Sequence, residues 1–97
     1  MTAETITEIS QQAIPCTVLS GTGKRRVRLF IRINSATPGN TIDLTSYNAN
    51  IADIEGVDYE TDDGATVAAA SAATWSTYTV TMVAAGVVEM GLICNLT

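Results

Sequence analysis

Lys24-Arg25-Arg26-Val27-Arg28-Leu29-Phe30-Ile31-Arg32-Ile33 is the stretch that decides the fold. Val27, Leu29, Ile31 and Ile33 alternate with Arg26, Arg28, Phe30 and Arg32. Successive side chains of a strand point to opposite faces, so this period of two predicts a strand with an apolar inward side and a cationic outward side. The same stretch holds all 5 Lys and Arg residues of the chain, whereas 10 Asp and Glu are spread over the rest.

Upstream, Ser20-Gly21-Thr22-Gly23 reads as a turn, and Ile14, Cys16 and Val18 alternate with Pro15, Thr17 and Leu19. That predicts another strand, placed at an edge because Pro15 has no N–H for a ladder. Residues 1–12 read as an extended N-terminal arm. Downstream, Asn34 to Asn40 is a Pro/Gly loop and Thr41 to Leu44 a short strand. Leu44, Tyr47, Ile51 and Ile54 then recur at helical spacing, with Thr45 or Ser46 to cap the start and Gly56 to close the end, so a short helical turn is expected near 45–55. Val57 to Thr61 and Ala65 to Ala70 flank Asp62-Asp63-Gly64, a hairpin signal. The small residues Ala68 to Ala73 fit a strand or a loop equally. Trp75 to Val83 reads as one strand with Tyr78, Val80 and Met82 on one face and Thr77, Thr79 and Thr81 on the other. Ala84-Ala85-Gly86 supplies a three-residue hairpin turn with Gly at the left-handed position, so Val88, Met90, Leu92, Cys94 and Leu96 form the inward face of the second arm of a closing hairpin. The expectation is one all-β domain over 1–97: a small β-sandwich, jelly-roll-like fold or partly open barrel of about six to seven strands.

With 97 residues there is one core and little surplus stability, so the chain would gain from association. Charged residues are only 15% of the chain against 46% apolar ones, which leaves faces of Thr, Ser, Ala or apolar side chains suited to a partner. The net charge of −5 argues against nucleic acid, whose phosphates need a basic footprint. No apolar run is long enough to cross a bilayer, and Met1 to Thr5 lacks the basic and apolar regions of a signal peptide. The protein is therefore expected to be made in a cytoplasm, with reduced cysteines. Cys16 and Cys94 fall in inward-facing sets, so buried thiols are the leading reading; a disulfide requires neighbouring strands.

Catalytic chemistry finds few candidates, and the chain is expected not to be an enzyme, with no cofactor and no metal. Histidine is absent, which removes the usual general base and the commonest metal ligand. Ser20-Gly21-Thr22-Gly23-Lys24 lacks the glycine spacing of a phosphate loop and leads into a strand. In the acidic run Asp58 to Gly64, Asp63 intervenes where a calcium loop needs Gly, and Ala69 or Ala70 stands where it needs Glu. Two readings remain for the charges. Arg26, Arg28, Phe30 and Arg32 form a cationic stripe for docking to a protein surface, with Asp58, Glu60 and Asp62 on one face of the acidic hairpin as the complementary group. Alternatively both are solvated faces, or they pair with each other within or between subunits. Trp75, Tyr78, Tyr47 and Tyr59 are too scattered to mark a sugar platform.

Asn40-Thr41-Ile42-Asp43-Leu44 with Ile54-Glu55-Gly56-Val57, and Thr74 to Met82 followed by Gly86-Val87-Val88-Glu89-Met90, resemble small β-sandwich proteins of tailed-phage virions that decorate or cement the capsid. The likeness is one of style, rich in Thr, Ala and Val, over about the last two-thirds of the chain. It implies a virion protein on the capsid surface, made in the host cytoplasm, bound to the major capsid protein and homo-oligomeric, with a trimer favoured. It carries over no functional residues. A carbohydrate- or protein-binding sandwich module of a phage fibre or tail is the alternative.

Overall fold

The computed structural model describes residues 2–13, 26–62, 65–67 and 72–97. The expected strand over 14–19 with Cys16, the turn at 20–23, Lys24, Arg25 and the 63–64 and 68–71 positions lie outside the described residues. Those described form eight strands: β1 (Glu8–Ala13), β2 (Arg26–Ala36), β3 (Thr41–Asp43), β4 (Ile51–Asp62), β5 (Ala65–Thr66), β6 (Ala73–Ser76), β7 (Thr79–Met82) and β8 (Gly86–Leu96). They build two antiparallel sheets, one of five strands in the order β1-β2-β8-β4-β5 and one of three in the order β3-β7-β6.

One hydrophobic core joins the sheets. Val27, Leu29, Ile31 and Ile33 of β2 and Val88, Met90, Leu92 and Cys94 of β8 are all buried, as the period-two pattern requires. Ile42, Val80 and Met82 of the smaller sheet belong to the same cluster. The N-terminal arm splits in two. Residues 8–13 are the edge strand beside β2, while Ala3 bridges Thr41 of the other sheet and the Glu4 carboxylate accepts from Thr37 N at 3.0 Å and Asn40 Nδ2 at 2.6 Å.

Three expectations are corrected. The short helical turn expected near 45–55 is present as a single 3-10 turn at Leu44–Ser46, capped by Asp43, and what is corrected is its extent, since from Ile51 onward the chain is the strand β4. The helical spacing there has another origin. The register of β4 on β8 shifts between Ile51 and Asp53, Ile54 and Gly56, and Val57 and Tyr59, so Ala52, Glu55 and Asp58 are extra residues with no partner on β8. Each β-bulge adds one residue to a two-residue repeat. The inward positions Ile51, Ile54, Val57 and Glu60 are therefore three apart, a spacing that imitates one face of a helix.

The second correction concerns Trp75 to Val83, which is a tight hairpin of β6 and β7 turning at Thr77 and Tyr78. Thr77 holds φ 49, a left-handed value that β-branched residues seldom adopt. It is pinned because Thr77 O accepts from Ile54 N at 2.5 Å and Tyr78 O from Leu44 N at 3.0 Å. Val80 and Met82 do point inward as expected, at 1% exposure each. Third, β7 and β8 do not pair. Gly86, at φ 89, supplies the expected left-handed position, but the chain there passes from the small sheet to the centre of the large one. Alternation alone cannot distinguish a hairpin from a crossing between two sheets, since both keep the same faces inward.

Candidate interaction face

The outward side of the five-stranded sheet gathers most of the residues singled out by sequence. Across β2, β8 and β4, register places them in rows: Arg32–Glu89–Thr61, Phe30–Gly91–Tyr59, Arg28–Ile93–Gly56 and Arg26–Asn95–Asp53. Arg26, Arg28, Phe30 and Arg32 thus share one face, as the alternation predicts.

The cationic stripe is neutralised within the chain. Arg26 Nη1 lies 3.1 Å from Glu55 Oε1, Arg28 Nε 2.8 Å from Asp58 Oδ2, and Arg32 Nη1 3.2 Å from Glu89 Oε2. Arg32 Nε also donates to Asn34 Oδ1 at 2.9 Å. Glu55 and Asp58 are both bulge residues, so the irregularity of β4 aims their carboxylates across β8 at the arginines. Gly91 makes room for the crossing: a Cβ there would collide with the Arg28 guanidinium and the Asp58 carboxylate. The Arg28–Asp58 pair consequently lies flat over β8, in the row flanked by Phe30 and Tyr59. Tyr59 OH donates to Glu89 Oε1 at 3.4 Å, and Asn95 Nδ2 to Asp53 Oδ1 at 2.7 Å.

These pairs are part-exposed, so each contributes at most about 1 kcal/mol to stability. Their larger effect is on the surface, where they hold six charged side chains in pairs over β8 beside the aromatic residues Phe30 and Tyr59.

The acidic set does not stay together. The bulge at Asp58 changes the parity of the strand, so Asp58 joins the outer face whereas Glu60 and Asp62 stand opposite the inward residues Met90 and Val88. Glu60 is 2% exposed, and its Oε2 accepts from Ala72 N at 3.0 Å and Ala73 N at 3.1 Å. Its role is internal: it is not part of a docking surface. Asp62 Oδ1 is likewise buried. Sequence reasoning missed Glu55, Glu89 and Gly91. The interior glycine of an otherwise regular strand was the available signal, since such a glycine often marks a close approach.

Two other candidates resolve simply. Trp75 packs against the core from β6, while Tyr59 faces outward on the other sheet, so they share no platform. Cys94 is a free, fully buried thiol, pushed up to about 11 by burial and then by the negative charge of Asp53. In the unfolded chain it ionises near 9.0, so between 9.0 and about 11 the folded form holds the proton that the unfolded form has lost. Stability is therefore expected to fall as pH rises through that window. Denaturant midpoints should show a shallower fall over that range for Cys94→Ala than for the native chain, and the native thiol should resist alkylation at pH 8 until the protein is unfolded.

Among the described residues no three or more of His, Cys, Asp and Glu lie together as a metal group, and no helix is long and apolar enough to cross a membrane. No protein-family model, no curated protein and no solved structure matches the chain.

Proposed function

We propose that this is a non-enzymatic structural protein that acts by adhesion, and more narrowly a decoration or cement protein of a tailed-phage capsid that works with the major capsid protein. The observation that carries the adhesive reading is the outer face of the five-stranded sheet, where ion pairs crossing β8 share the outward rows with Phe30, Tyr59 and Ile93. Side chains already fixed lose little freedom on docking, and their charges are already matched, so such a face binds at lower cost than a loose one. The phage setting rests on the resemblance of the C-terminal two-thirds to capsid-decorating sandwiches.

The test uses phage heads assembled without this protein. Added protein is expected to appear as extra density on the shell by electron microscopy and to raise the temperature at which the heads open. Phe30→Glu with Tyr59→Glu, both outward-facing, should keep the far-ultraviolet spectrum and lower binding at least about 30-fold, the scale of losing one aromatic anchor. Native protein that leaves the heads bare and unprotected at saturating concentration refutes the reading.

A further inference from the structure

We propose that the outer sheet face is built to meet a second copy of the same chain, the two laid face to face and related by a two-fold axis running along β8. The inference rests on the adhesive reading of this face and names its partner.

The argument comes from where the sheet order puts its charges. The arginines enter from β2 and the acids Asp53, Glu55 and Asp58 from β4, on opposite sides of β8. Rotation about an axis along β8 keeps every residue in its row and exchanges the two sides. Each Arg28–Asp58 pair then lies antiparallel to its copy, so guanidinium faces carboxylate in both directions. Arg26 of one copy comes over Asp53 and Glu55 of the other. Phe30 comes over Tyr59, Ile93 meets Ile93 on the axis, and Glu89 meets its own copy there with an Arg32 on either side to offset the like charge.

The rival in-plane axis, perpendicular to the strands, sets β2 on β2 and arginine on arginine, which is repulsive. A three-fold operator does not bring a face onto itself at all, so the trimer implied by resemblance is not what this arrangement fits. The area is sufficient. Five strands spaced about 4.8 Å apart and about eight residues long offer roughly 600 Å² per copy, or about 1,200 Å² in total, the lower end of specific interfaces. Gly91 is the feature that lets the Arg28–Asp58 pair lie low over β8, which is what allows the copies to approach. On a shell, copies held to the capsid by another surface would present this face to one another, so pairing would cement neighbours and the Phe30→Glu with Tyr59→Glu variant would lose head binding through lost pairing.

Sedimentation equilibrium from about 1 to 200 µM should show a monomer–dimer equilibrium with a dissociation constant in the micromolar range, about tenfold weaker at high salt as the charges are screened. Arg26→Glu with Arg28→Glu should be monomeric alone, as should Glu55→Lys with Asp58→Lys, because each sets like charges over like. Mixed together they should form a heterodimer. Gly91→Ala adds only a methyl group beneath two movable side-chain ends, so it should remain folded while lifting the ion pair and weakening the dimer at least about tenfold. A native chain monomeric throughout, a trimer, or folded charge variants that do not associate on mixing would overturn the proposal. Head binding is read separately: a monomer that coats heads refutes the pairing alone, and a dimer that never binds them refutes the capsid reading alone.

Discussion

Glu60→Ala is expected to lower stability by about 3–5 kcal/mol, a large share of what a domain of this size possesses. The side chain is 2% exposed, and its Oε2 accepts from Ala72 N and Ala73 N, both of them buried contacts. The carbonyl of Ala72 accepts in turn from Val83 N at 2.9 Å and Ala84 N at 3.0 Å. Glu60 belongs to β4 of the large sheet, and Ala73 opens β6 of the small one, so this short relay ties the two layers together. Alanine would leave two buried N–H groups without an acceptor at about 1–3 kcal/mol each, and open a void beside Met90. Glu60→Gln keeps one oxygen at the same reach and should cost distinctly less. Urea denaturation of the three proteins measures the ordering; equal midpoints for Glu60→Ala and the native chain would show that the relay carries no stability.

The relay also shows where sequence reading stops. Strand β2 was legible because Val27 to Ile33 keeps a strict period of two, and the same holds for Val88 to Leu96 in β8. The outer face was legible to the extent that Arg26, Arg28, Phe30 and Arg32 had to share it. What the pattern could not carry was parity through a bulge. Each extra residue in β4 leaves no mark of its own in composition, so Asp58, Glu60 and Asp62 look equivalent although Asp58 is outward and Glu60 is buried. The same three bulges turned a strand into an apparent helix at Ile51 and Ile54. Pairing partners were the other gap. The hairpin at Thr77 carries no Gly or Asn to announce a left-handed residue, and the sheet to which β8 belongs depends on contacts distant in sequence.

Those distant contacts make β8 the strand on which the fold depends most, and Leu92→Ala is expected to reveal it. Leu92 is fully buried, with Leu29 of β2 opposite it on one side and Val57 of β4 on the other. The strand is paired along both edges, so the backbone cannot shift to close a gap, and a truncated side chain leaves most of its volume empty. A cost of about 3–5 kcal/mol follows, and for a domain of this size each kcal/mol lowers the melting temperature by about 4–8 °C. Val83→Ala is the matched control: it also removes apolar volume, but Val83 is 48% exposed beyond the end of β7 and its loss should cost within about 0.5 kcal/mol. Calorimetry of both variants separates burial from hydrophobicity as the source of stability. A Leu92→Ala protein that melts within a few degrees of the native chain would mean that β8 is not held from both sides, and the pairing of β2 and β4 across it would have to be abandoned along with the ion pairs that cross it.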